Sequence, residues 1–168
     1  MGDRDIDGDP RLVGVLDADQ HAFVAQRRRA ILVTLSGRGD PRPVPICFVL
    51  AAVNDEAGGP LLYTPLDEKP KRSADVRQLA RVRDIAARPD VTLLFEHWEE
   101  DWSQLAWLRA RGRARLVEPQ DDAEAHSWAV HALRERYPQY RTHRIEEAPM
   151  IRIAIGEAVS WSAASGLH

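Results

Sequence analysis

The sequence predicts an α+β fold, a small and mostly antiparallel β-barrel with helices packed outside it. Three observations carry this expectation. Strand-like runs cluster rather than alternating with helices, so only one or two strand–helix–strand crossovers fit, too few for a doubly wound parallel sheet. The stretch LAWLRARGRARLVE, 105–118, alternates with a period of two: Trp107, Arg109, Arg111, Arg113 and Arg115 fall on one face, and Ala106, Leu108, Ala110, Gly112, Ala114 and Leu116 on the other. A chain of 168 residues is the size of one domain. Residues 1–14, rich in Asp and Gly, are expected to be a poorly ordered N-terminal segment, leaving 15–168 as the domain.

The elements follow in order. A helix opens at Asp17 or Asp19 and runs to about Arg28, with Phe23 and Val24 on its buried side. AILVTLS, 30–36, and PVPICFVLAAV, 43–53, flank the turn GRGDPR and read as a hairpin. Pro43 and Pro45 lack an N–H, which makes the start of the second strand an edge, a bend or a ligand-facing rim. LLYTP, 61–65, is a third strand. A helix over 73–88, capped by Ser73 or Asp75, buries Val76, Leu79, Val82 and Ile85 and stops at Pro89. VTLLFEHW, 91–98, and the alternating segment are the next two strands. A helix then starts near Asp121 and ends before Pro138, and the last strand, PMIRIAIGEAVSWSA, bends at Gly156.

Composition removes several function classes. Apolar residues at 44% and charged residues at 29% are those of an ordinary soluble domain. A net charge of −3 offers no basic field for nucleic acid, so any anion site has to be local. No apolar run approaches the roughly 20 residues of a membrane span, and the acidic N-terminus lacks the order of a signal peptide. The single cysteine, Cys47, cannot form an internal disulfide and fits a cytoplasmic location. No metal site is expected: His126 and His131, five apart, fall on different helix faces, and HExxH, CxxC, GxSxG and GxGxxG are all absent.

What remains is a local concentration of positive charge. The chain holds two lysines, Lys69 and Lys71, and both lie in DEKPKRS beside Arg72. Arg77, Arg81 and Arg83 follow at the start of the predicted helix. Mobile ammonium groups and forked guanidinium groups near a helix N-terminus suit a phosphate or a chain of carboxylates; a solvated charged face is the plain alternative. For the Arg109–Arg115 row the plain alternative is salt bridging to a neighbouring strand.

Leu61–Leu116 resembles the split β-barrel family of flavin and deazaflavin enzymes, the pyridoxamine-phosphate-oxidase-like proteins. The matching residues are LLYT (61–64), RVRDIAARPDVTLLF (81–95) and LRARGRARLVE (108–118), preceded by TLSGRGDPRPVPICFVL (34–50), like the family's paired first strands. The likeness extends over roughly 20–162. DEKPKR, LARVRDI and EDW…LAWLRARGRA look like a branch of F420-dependent proteins. The resemblance implies a split β-barrel that binds coenzyme F420, with FMN as the alternative cofactor. It further implies an oxidoreductase moving a hydride between reduced F420 and a small unsaturated substrate. Arg81 would hold the cofactor phosphate, and Lys69, Lys71 and Arg72 its anionic tail. Arg109 joins the cofactor set. The ring would lie against Val44, Pro45, Ile46 and Cys47, with Thr64 at its polar edge. Trp98, Trp102 and Trp107 are candidates for a substrate pocket or a dimer seam. No catalytic side chain is required, because the cofactor carries the chemistry. A homodimer with cofactor sites at its interface is implied, built on the alternating strand and MIRIAIG; neither a nucleic acid nor a membrane partner is expected.

Two departures from the oxidase pattern stand out. Asp84 occupies a position where the related branch often has Asn, and Ala106–Trp107 replaces an Arg-Gln pair that helps hold FMN. Other roles on this barrel are an F420 carrier without turnover and, with His97 beside Trp98, a tetrapyrrole-binding module.

Overall fold

The computed structural model describes residues 16–55, 58–66 and 75–165. The N-terminal segment 1–14 and the DEKPKRS segment therefore lie outside the described residues. Helix α1, Ala18–Gln26, is capped by Asp17, whose carboxylate accepts from the Gln20 N–H while the Gln20 side chain accepts from the Asp17 N–H. This reciprocal box satisfies two of the helix's orphan donors, and Val24 anchors the helix to the core. Strands β1 (Ala30–Leu35), β2 (Pro41–Ile46), β3 (Val49–Asn54) and β4 (Pro60–Pro65) follow. Then come α2 (Ala80–Ala87), β5 (Asp90–His97), β6 (Ala106–Val117), α3 (Ala123–Arg136) and β7 (Met150–Ser162).

The seven strands form one sheet in the order β2-β1-β5-β6-β7-β4-β3, antiparallel at every pair. Its curvature follows from the chain itself. β2 and β3 sit at opposite edges, yet only Cys47 and Phe48 separate them. Three Cα–Cα steps span about 11 Å at most, whereas six flat strand spacings would span about 29 Å. The sheet must therefore roll until its edges approach. Among the described residues no ladder joins β2 to β3, so the roll is barrel-like and not closed.

Two cores result. Leu32, Leu62, Leu93, Phe95, Leu108 and Ile153 fill the inside of the roll with Phe48, whose ring meets Phe95 edge-on at 5.3 Å. Leu61, Tyr63, Val130, Leu133, Tyr137 and Met150 form the second core, between β3–β4 and α3. Tyr137 secures the crossing between the sheet edges. Its oxygen accepts from the Phe48 N–H at 3.2 Å and lies 2.8 Å from the carbonyls of Phe48 and Arg28, one of which takes its proton.

The structure corrects the expected elements at two places. The run 43–53 is two strands, broken at Cys47–Phe48. Nothing polar marks the break, because Phe48 turns inward and keeps the run apolar. The helix expected over 73–88 begins as a 3-10 turn, Val76–Gln78, capped by Asp75. Leu79 then takes extended angles (φ −61°, ψ 142°), and α2 starts only at Ala80 without a side-chain cap. Elsewhere the expectations hold. Arg109, Arg111, Arg113 and Arg115 are exposed, while Leu108, Ala110, Gly112 and Ala114 are buried. The register between β6 and β7 shifts at Gly156, leaving that glycine as the extra residue of a bulge.

Candidate cofactor site

The second edge of the roll is where a ring was expected. Prolines occupy every other position of β2, at 41, 43 and 45, opposite Leu35, Val33 and Ile31. A proline fits a ladder only with its missing N–H turned away from the partner strand. The free edge of β2 therefore presents carbonyl oxygens without N–H donors. Such an edge can accept a hydrogen bond from a ring N–H and cannot donate one at those positions. Pro45 is exposed, Ile46 buried, and Val44 and Cys47 half-buried.

Thr64 lies at the neighbouring end of β4. Val49 pairs with Tyr63, the end pair of the β3–β4 ladder; Cys47, just before it, packs against the second core, with Gln139 Nε2 3.9 Å from its sulfur. Thr64 is 2% exposed and shares the inward face with Leu62 and Leu66. The chain then leaves β4 through Leu66 and re-enters at Asp75, the residues that bracket the segment holding Lys69, Lys71 and Arg72. Those three lie outside the described residues. A cavity of about 450 Å³ opens between the two bracketing residues, with Arg77 and Arg144 in its wall.

Not every nearby cation is available to a ligand. Arg77 forks onto Glu118 through Nε (2.8 Å) and Nη2 (2.6 Å), and hydrogen bonding to that carboxylate is the largest influence raising its pKa. Arg81, half-buried on the first turn of α2, is itself engaged in an interaction. One turn on, Asp84 is 6% exposed and accepts from the Thr34 hydroxyl at 2.9 Å, with Arg42 Nη1 at 3.4 Å from its other oxygen. This buried group fastens α2 across the ends of β1 and β2. Sequence reading noticed Asp84 but not its partners, which are 50 and 42 positions away.

Arg109 stands apart. The rows of the sheet run Pro45–Ile31–Leu94–Arg109–Val159, so it shares the outer face with Pro45 three strands away, roughly 14 Å at standard spacing. Within one chain it is not beside Thr64 or Cys47. Trp107 lies on the same outer face, half-buried, opposite Glu96 and Trp161. Trp98 and Trp102 are 65% and 71% exposed in the β5–β6 connection, so neither lines an enclosed pocket within one chain. Trp102 opens a 3-10 turn capped by Asp101, whose carboxyl is held below its ordinary range by hydrogen bonds from Ser103 and Gln104. His97 lies 3.6 Å from Glu99.

The described residues contain no cluster of His, Cys, Asp and Glu able to hold a metal, and none of their helices is long and apolar enough to cross a membrane. A second groove, of about 590 Å³, runs between β3 and α3 past Leu50, Trp128 and Ala132, and none of the expected site residues lines it.

Among solved structures, the fold is similar to that of a conserved hypothetical protein from Mycobacterium tuberculosis, with a TM-score of 0.67, 20% identity, and coverage of 94% of this chain and 91% of that one. A FAD-binding protein from Mesorhizobium loti aligns with a TM-score of 0.62 at 12% identity, over 89% of this chain and 96% of that one. The haem storage protein HutZ from Vibrio cholerae aligns at 0.54 and 14%, over 88% and 94%. At these identities the likeness is one of fold. No curated protein matches significantly in sequence. The family model for pyridoxamine 5′-phosphate oxidase matches residues 16–162, which takes in every described strand and α-helix. The chain belongs to the pyridoxamine 5′-phosphate oxidase family.

Proposed function

We propose that the protein is an oxidoreductase that uses coenzyme F420 to reduce or oxidise a small unsaturated substrate. The observation that carries this reading is where the described chain leaves and re-enters the fold, at Leu66 after β4 and at Asp75 before α2. In sequence, Lys69, Lys71 and Arg72 fall between those two points, and Arg81 follows in the first turn of α2. An elongated anionic cofactor whose ring meets the β2–β4 end finds its phosphate and tail partners along that path. The β2 edge suits the ring, since its carbonyls can accept from a pyrimidine N–H. A bound deazaflavin supplies hydride transfer at one ring carbon.

The chain's own residues have narrower tasks in this scheme. Pro45, Ile46 and Cys47 orient the ring, and Thr64 is assigned to its polar edge. Lys69, Lys71 and Arg72 neutralise the tail, Arg81 takes the phosphate, and Asp84 fixes α2 so that Arg81 is correctly aimed. No side chain is assigned a proton transfer. Arg109, Trp107 and the exposed Trp98 and Trp102 enter the site through a homodimer, in which a second copy covers the outer face of β1, β5, β6 and β7. That face shows half-buried Ile31, Val33 and Leu94 and exposed Leu35 and Trp161, the mixture expected of an uncovered interface.

FMN is the second reading, favoured by the family itself and by the flavin-binding relative of similar fold. Ala106 and Trp107, where the resembling oxidases carry Arg-Gln, weigh toward F420. The test is a titration of short- and long-tailed F420 into the wild type and a Lys69→Ala/Lys71→Ala/Arg72→Ala variant. The loss of affinity should grow with tail length and shrink in high salt. Equal losses for both tails would remove the tail-grip assignment.

A further inference from the structure

The two edges of the sheet are built differently. β2 carries proline at every other position, which strips donors from its free edge. β3, with the sequence VLAAVN, contains no proline, no glycine and no charged residue. Its edge away from β4 therefore keeps main-chain N–H and C=O groups that need partners. Among the described residues no strand pairs with that edge, and no backbone group outside the β3–β4 ladder hydrogen-bonds to it. The register shift between Leu50 and Asn54 bends the strand but puts nothing over it. Folded proteins blunt an apolar edge with proline or charge, or cover it with another segment.

Over this edge lies the groove of about 590 Å³. His21 and Ala25 of α1 form one wall, Trp128 and Ala132 of α3 the other, and Leu50 and Ala52 lie on the strand itself. Ala52 is exposed, and Trp128 remains 37% exposed although its ring meets Tyr63 edge-on at 6.0 Å. A compact ligand would pair with one or two of the main-chain groups, whereas an extended chain pairs with the row. Helices on both sides leave room for one strand. The edge of a second sheet would bring its own α1 and α3 against these walls. The groove is also remote from the outer face of β1, β5 and β6, since β7 and β4 separate β3 from β6.

The chain supplies a strand of its own close by. Leu16, 9% exposed and packed in the inner core, is the first described residue, and α1 begins two positions later. Directly ahead of it the sequence reads RLVGV, where Leu12, Val13 and Val15 interrupt a segment otherwise rich in Asp and Gly. Val and Leu suit a half-buried strand face. Five extended residues span about 17 Å, enough to run back along a nine-residue helix of about 13 Å. Their attachment to a helix that walls the groove gives them a high local concentration there.

We propose that residues 11–15 add as a strand to the free edge of β3, in the groove between α1 and α3. Their main chain pairs with β3, and Leu12, Val13 and Val15 cover Leu50, Ala52 and the exposed side of Trp128. The assignment stands whichever cofactor is bound.

NMR of the full chain tests this. Methyl NOEs should link Val13 or Val15 to Leu50, Ala52 or Ala132. The β3 amides that point away from β4 should exchange at least tenfold faster in a Leu12→Asp/Val13→Asp/Val15→Asp variant. Asp3→Asn/Asp5→Asn/Asp7→Asn should leave them within twofold, and the core amides of Leu93 and Leu108 should stay within twofold in both variants, which shows that they fold. Tenfold dilution of the wild type should change nothing. Absence of those NOEs in the wild type, edge amides that exchange freely there, or equal protection in the Leu12→Asp/Val13→Asp/Val15→Asp variant would overturn the proposal. Protection that falls on dilution would overturn it in favour of a second copy.

Discussion

Asp84 shows how one buried carboxylate organises the end of the sheet that faces α2. It is almost fully enclosed, accepts from Thr34, and has the half-exposed Arg42 guanidinium 3.4 Å away. Removing it strands the Thr34 hydroxyl in the core, where an unsatisfied donor costs about 1–3 kcal/mol. Asp84→Ala should therefore lower unfolding stability in urea by about that amount, and Asp84→Asn by less, since the amide oxygen still accepts from Thr34. A change under about 0.5 kcal/mol for the alanine variant would show that the contact does not fasten α2. The sequence displays Asp84 as an oddity within LARVRDI. It cannot display a partner 50 positions upstream, because side-chain pairing across elements leaves no trace in local spacing.

At the scale of elements, legibility depended on whether a rule of local periodicity governed the segment. The Arg row on β6, a cap at Asp17 or Asp19, the stop at Pro89 and a bend at Gly156 all follow such rules and were readable; the structure selects Asp17 and makes the bend a bulge. The break at Cys47–Phe48 obeys none: a strand passing from one sheet edge to the other needs no turn residue when Tyr137 satisfies the Phe48 backbone from another element. The β6–β7 pair also makes a sharp prediction. A Cβ on Gly112 would lie 2.6 Å from the Ala154 carbonyl oxygen and 3.0 Å from Ile153 Cγ2, whereas one on Gly156 would meet nothing closer than 4.0 Å. Gly112→Ala should cost about 1–3 kcal/mol by overpacking, and Gly156→Ala under about 0.5 kcal/mol. Thermal unfolding of the two variants compares them, and equal losses would contradict the account of this ladder.

For the whole molecule, the roll of the sheet decides which residues can share a site. It brings the Cys47–Phe48 crossing to the Tyr63 end of the β3–β4 ladder, and it leaves Arg109, Trp107 and Leu94 facing outward. A site that uses both groups needs a second copy on that outer face, so the wild type should sediment as a dimer. Val33→Asp, which places a charge in the middle of the face, should sediment as a folded monomer with weakened cofactor binding. A monomeric wild type that still binds cofactor through Arg109 would contradict this arrangement. The candidate site was only partly legible in the sequence, for the same reason: the β2 and β4 residues are proposed to act together within one chain, while the tryptophans depend on a surface that no local pattern describes.

The central claim is that this member of the family is built for a deazaflavin with a polyanionic tail. The most direct measurement is a pair of equilibrium titrations of the purified protein, one with F420 and one with FMN, followed by cofactor fluorescence. The account predicts at least tenfold tighter binding of F420, with that margin lost in the Lys69→Ala/Lys71→Ala/Arg72→Ala variant. Tighter binding of FMN, or no binding of F420, would contradict it.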